Sequence, residues 1–216
     1  ARKQGYQVAT NAGELAGIQG PKILGLFNSS YLNYTLDRSL APGAENEPSL
    51  EAMTAKALEI LAQDPEGFFL LVEGGRIDHS CHNLSPNSMV EEVVAFDQAV
   101  KQAHAFAQEH PGTLLLVVND HDTMGFTVGE ELDVAGIKKQ RASVEFMLRS
   151  CFKADPEGNP LPEGIRKAFA DHAGITDLTD SEISRIRDFP GKKPAEIGAV
   201  TGAVLCSRFR LWCMPP

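Results

Sequence analysis

The sequence predicts an α/β fold, a mostly parallel sheet flanked by helices, on three observations. Short runs apolar on both faces recur along its first half; amphipathic helical patterns separate them; and Pro, Gly or capping residues punctuate each switch of period. A strand with one wet face would alternate apolar and polar residues, so continuous apolar runs suit strands covered by helices on both sides. With 216 residues the chain has room for one α/β domain with a sizeable core, and residues 1–216 are read as a single domain.

Lys22-Ile23-Leu24-Gly25-Leu26-Phe27 reads as the first buried strand. Ser49 is placed to cap a helix opening near Leu50, where Leu50, Met53, Ala57, Leu58 and Leu61 recur at helical spacing until Asp64-Pro65-Glu66-Gly67 stops them. Phe68 to Val72 is the next strand. Pro86 to His110 forms a second helix on Met89, Val93, Phe96, Val100 and Ala103, closed by His110-Pro111-Gly112, and Thr113 to Val118 is the strand that follows. The second half is less regular. Ser143 to Leu148 is read as a strand, Asp155 to Pro162 as a loop, and His172 as lying near the end of a further helix. Thr179 with Glu182 makes a capping box before Ile183 and Ile186, and Ala195 to Leu205 forms a packed helix.

Composition narrows the function. Twenty Lys and Arg against 29 Asp and Glu leave a formal charge of -9, which excludes an electrostatic nucleic-acid footprint and makes an anionic ligand depend on local cations or metal ions. No run approaches the roughly 18 apolar residues of a transmembrane segment, and residues 1–25 hold no basic region followed by an apolar one, hence no signal peptide in this chain. Cys81, Cys151, Cys206 and Cys213 form no CxxC pair and read as scattered packing thiols. The chain opens on Ala1 and closes on Pro215 and Pro216, neither of which reads as a finished terminus, so a piece of a longer protein is expected.

Ligands of an open parallel sheet bind at the carboxyl ends of its strands. Two polar clusters fall there. The run Phe68 to Val72 leads into Glu73-Gly74-Gly75-Arg76-Ile77-Asp78-His79-Ser80-Cys81-His82, and Thr113 to Val118 leads into Asn119-Asp120-His121-Asp122. Asp78 and His82 are one helical turn apart, so a carboxylate and an imidazole share a face and can grip one ion; Asp120 and His121 offer the same donors to a second. Glu73 is a hard oxygen donor suited to magnesium. A solvated loop or a hydrogen-bonded turn would also use an Asp/His pair. Arg76 has two readings, a phosphate clamp or a structural ion pair, and so does Cys81, a zinc-seeking thiolate or a packing thiol.

Val72 to His82 (VEGGRIDHSCH) and Asp120 to Phe126 (DHDTMGF) resemble the two metal motifs of the alkaline phosphatases. GLFN at Gly25 to Asn28, PSLEAMTAKALEIL at Pro48 to Leu61 and AFDQAV at Ala95 to Val100 extend the similarity, which runs from about Tyr6 to Phe209. The resemblance implies an alkaline phosphatase-like α/β/α sandwich, incomplete here, with Glu73 on magnesium, Asp78 and His82 on one catalytic zinc, and Asp120 and His121 on the other. It implies small-molecule phosphomonoesters as substrates, two-metal phosphoryl transfer through a phosphoserine, a homodimer, and a periplasmic or extracellular location.

Several family features have no counterpart. The nucleophilic serine, a metal-sharing aspartate and the phosphate-binding arginine lie in a preceding half that this sequence lacks, so no catalytic residue is nominated. The family's final zinc histidine is replaced by Arg210-Leu211-Trp212-Cys213-Met214-Pro215-Pro216. One zinc is thereby left with two ligands, where a catalytic zinc takes three. Asn119 and Met124 stand where small residues are expected. This chain alone is expected to be inactive. A non-catalytic metal-binding remnant and a related phosphodiesterase or mutase of the same superfamily are the alternatives, and the EGGRIDH run favours the phosphatase.

Overall fold

Gln7–Ala9 (β1) and Ile23–Gly25 (β2) pair in parallel, with Gln7 opposite Ile23 and Ala9 opposite Gly25. A parallel pair needs a crossover, and Ala12–Gly17 (α1) lies within the connection. The computed structural model that shows this describes residues 1–189 and 193–214; Pro215 and Pro216, read above, lie outside them. The chain divides into two units, Ala1–Gly74 with Val93–Asp120, and Gly75–Glu92 with His121–Pro216. The architecture is a helix-rich α/β fold with a small parallel sheet.

In the first unit the turn into α1 is tied twice. The Asn11 side chain accepts from the Glu14 amide at 2.8 Å, and the Glu14 carboxylate accepts from the Thr10 amide at 2.7 Å. Leu50–Leu61 (α2) opens as predicted on Ser49, whose hydroxyl accepts from the Ala52 amide at 3.1 Å. Met53 and Ile60 on α2 pack with Ile23 and Phe27 against Ala9, Leu15 and Ile18. The predicted strand over 22–27 therefore exists but is shorter, and beyond it Asn28 turns to a buried carboxylate. Glu47 accepts from Asn28 Nδ2 at 2.6 Å and from the Asn33 amide and Nδ2 at 2.8 Å each, so its burial leaves no oxygen without a donor.

The runs Phe68 to Val72 and Thr113 to Val118 depart from expectation. Among the described residues neither pairs into a ladder, and Phe69, Leu71, Leu114 and Val118 are 75–87% exposed. A strand is held by hydrogen-bonded neighbours, and an apolar run on both faces needs cover on both; the described residues supply neither here.

The second unit begins with Arg76–His82 (α3) and then Pro86–Glu109 (α4), whose later turns belong to the first unit. Val134–Ile137 (α5), Val144–Phe146 (α6), Pro162–Ala173 (α7), Asp180–Arg187 (α8) and Pro194–Arg208 (α9) complete it. Their shared core contains Val144, Met147, Ile165, Phe169, Ile186, Val204 and Leu205. The predicted strand at Ser143 to Leu148 is a helix instead. Ser143 accepts from the Phe146 amide at 2.9 Å, and α6 runs on into a π-helical turn over Met147–Cys151, so Val144 and Met147 reach one core at helical spacing. The capping box at Thr179 and Glu182 forms as predicted.

Glu182 does a second job. Arg208 on α9 grips it in a fork, Nε to Oε1 and Nη2 to Oε2, both at 2.6 Å. The Arg208 hydrogen bonds hold the Glu182 carboxyl at about 2, below its ordinary 4.5. A carboxyl lowered in the fold contributes stability that is fully present above its unfolded value and is lost as pH falls toward its folded one. Glu182→Gln is therefore expected to flatten the fall in melting temperature between pH 4.5 and about 2, read by thermal melts across that range.

The corner between α3 and α4 is the most constrained part of this unit. The Leu84 amide bonds the Cys81 carbonyl at 2.9 Å and the Ser85 amide bonds that of Ser80 at 3.0 Å, a Schellman closure with leucine where glycine is usual. Leu84 accepts φ 48° because its side chain, fully buried, packs against Ala203, Cys206 and Leu211. Gln140, also fully buried, ties the start of α4: its Oε1 accepts from the Asn87 amide at 3.0 Å and its Nε2 donates to Ser85 Oγ at 2.8 Å and to the Ala142 carbonyl at 2.9 Å.

Candidate metal centre

α3 is short because Gly74 and Gly75 precede it and the Leu84 turn ends it, and within those limits Asp78 and His82 fall on one face. Asp78 Oδ2 lies 3.5 Å from His82 Nε2, and both side chains reach solvent, more so His82. The second motif meets the first through Thr123. Its Oγ1 donates to Asp78 Oδ1 at 2.7 Å and lies 3.3 Å from His121 Nδ1, which is also 3.2 Å from the Asp122 carbonyl oxygen. Thus one carboxylate oxygen is fixed by a hydroxyl and the other faces an imidazole. Asp78, His82 and His121 belong to the second unit, while Glu73 and Asp120 close the apolar runs of the first and are exposed.

The neighbours on α3 take the structural roles. Arg76 Nη2 donates to Glu145 Oε2 at 3.3 Å and its Nη1 lies 3.1 Å from His79 Nδ1, an ion pair that fastens α3 to α6. Burial, then the Arg76 charge, push the His79 imidazole below its ordinary value. Burial pushes the Cys81 thiol up to about 11, which makes it a protonated packing group at neutral pH. Met124 takes φ 58° beside Gly125 at φ 56°, a backbone reason for small residues at this point of the motif.

The donors present fit a divalent metal in kind but not in number. Carboxylate and imidazole one turn apart suit zinc, yet among the described residues no group of three or more His, Cys, Asp or Glu side chains converges to hold an ion. Thr123 was not singled out from the sequence, although it stands inside the quoted DHDTMGF run; what marks it is a contact 45 residues away in the chain. Outer hydrogen bonds of this kind hold ligand orientation and are worth roughly 10–100-fold in metal affinity. With Asp78 as the ligand expected from the sequence motif, Thr123→Val would weaken zinc binding about tenfold while Thr123→Ser would retain it, read by competition with a chromophoric chelator. Among the described residues no helix is long and apolar enough to cross a membrane.

Comparison with known proteins gives these residues a context. Alkaline phosphatase 4 of Bacillus subtilis (strain 168) is 33% identical over 189 residues, covering 86% of this chain and 38% of that protein. The alkaline phosphatase of Escherichia coli (strain K12) is 28% identical over 212 residues, covering 83% of this chain and 44% of that protein. The crystal structure of the Thermus thermophilus alkaline phosphatase superposes with a TM-score of 0.79 at 31% identity, over 92% of this chain and 44% of that one. The chain thus spans about two-fifths of these relatives' length. The alkaline phosphatase family model matches residues 1–157, and the chain belongs to that family.

Proposed function

We propose that this chain is the part of a metal-dependent phosphomonoester hydrolase that carries most of the metal ligands, with the attacking serine outside its 216 residues. Asp78 and His82 serve one zinc, Asp120 and His121 the other, and Glu73 the magnesium. When bound, such ions neutralise the phosphoryl oxygens and lower the pKa of an attacking or departing oxygen. This chain's own part is to present donors: α3 holds Asp78 and His82 on one face, and Thr123 fixes the Asp78 carboxylate. The observation that carries the reading is that bond at 2.7 Å, which joins the two sequence motifs at one carboxylate. Small phosphomonoesters as substrates, a homodimer and a periplasmic or extracellular location follow from the family, and residues 1–216 count as one partial domain of it.

The non-catalytic alternative draws on the absence of a three-donor group among the described residues. Hydrolysis of p-nitrophenyl phosphate separates the two. With zinc and magnesium, the chain alone is expected to give no turnover, and mixing it with the remaining segment of the Bacillus subtilis relative is expected to restore turnover that Asp120→Ala removes. Turnover by the chain alone would show that the serine lies within it, and an inactive mixture would favour the remnant.

A further inference from the structure

The proposed hydrolysis uses none of the cysteines, yet two of them meet. Cys206 on α9 is fully buried, its thiol donating to the Leu84 carbonyl oxygen at 3.7 Å, and Cys213 packs against the cluster that holds it. The chain returns to α9 through a tight reversal: the Leu211 amide donates to the Cys206 carbonyl at 2.9 Å, and Arg210 takes φ 56°. Cys206 and Cys213 then share one apolar cluster with Leu84, Ala203, Leu211 and Phe126. The returning strap is also laid along the second motif. The Thr127 amide donates to the Trp212 carbonyl at 2.9 Å, the Trp212 amide to that of Thr127 at 3.2 Å, and the Met214 amide to that of Met124 at 3.0 Å.

We propose that Cys206 and Cys213 form a disulfide when the protein meets a low-molecular-weight disulfide of the oxidised-glutathione class, and that this bond staples the strap beside the second motif to α9. The half-buried Cys213 reacts first. Its thiolate attacks one sulfur of the oxidant, forming a mixed disulfide and expelling one thiolate; Cys206 then attacks Cys213 Sγ and expels the other. Two protein thiols are oxidised, the oxidant's disulfide is reduced to two thiols, and the two protons leave with them. Burial raises both thiols, Cys206 being the more deeply buried, while the neighbouring Cys206 and the Arg185 charge draw Cys213 partly back, which favours Cys213 as the first to ionise. Six residues lie between the pair, so the bond closes a small ring around a turn that the backbone already makes.

The test is to incubate the folded chain with oxidised glutathione, alkylate the remaining thiols and map them. The expected product has lost two hydrogen atoms, retains no glutathione, is alkylated at Cys81 and Cys151 only, and yields a linked peptide joining 206 to 213. It melts at a higher temperature than the reduced chain, reversibly on adding a thiol. Cys213→Ser is expected to keep Cys206 reduced; should that variant not fold, the wild-type map decides. Glutathione retained at Cys213 with Cys206 alkylated, a bond from Cys206 to Cys81, or an unchanged mass would each overturn the proposal.

Discussion

Gly202→Ala is expected to destabilise the second unit by about 3 kcal/mol, although alanine is the better helix former by roughly 1 kcal/mol. A Cβ at Gly202 on α9 would sit 2.5 Å from the Leu84 carbonyl oxygen and closer still to that of Asn83. Both are backbone atoms of the turn that ends α3, so neither can swing aside without opening the Schellman closure or moving the helix that carries Asp78 and His82. Gly198, one turn earlier, provides the control. Its added Cβ would meet the Asn83 side-chain oxygen at 2.8 Å, a side-chain atom and not the backbone, so Gly198→Ala is expected to cost less than Gly202→Ala. Urea denaturation of the two variants checks this. Equal midpoints would mean that α9 does not press on the turn.

Gln140→Leu is expected to cost about as much, through hydrogen bonds rather than space. The substitution takes the acceptor from the Asn87 amide and donors from Ser85 Oγ and the Ala142 carbonyl, all in a buried setting. A buried polar group left without a partner costs about 1–3 kcal/mol, and a network loses more than its weakest bond. Because Ser85 and Asn87 flank the first residue of α4, the loss should appear as early amide exchange at residues 85–89 as well as a lower midpoint. A Gln140→Leu protein as stable as wild type would show that the network contributes nothing net to holding α4.

Much of the local structure was legible because its signals are local. Ser49 caps α2, Pro86 starts α4, and Thr179 with Glu182 builds its box from residues three apart. The misreading at Ser143 to Leu148 is of the opposite kind: a short apolar stretch fits either period, and here the Ser143 cap and the core position of Met147 decided for helix. The runs over 68–72 and 113–118 were legible as apolar but not as paired, since pairing depends on what lies beside them. At the site, residue types and spacing exposed the Asp78 and His82 face. Thr123, Gln140 and Gly202 act across 45 to more than a hundred residues, through contacts that no spacing rule displays.

The central claim is that Asp78 and Asp120 hold metal. Equilibrium dialysis of the chain against zinc and magnesium, with metal content measured on the wild type and on Asp78→Ala and Asp120→Ala, tests it most directly. The account predicts zinc on the wild-type chain and a lower stoichiometry in each variant, with both variants still folded by circular dichroism. Unchanged zinc in both variants would contradict it.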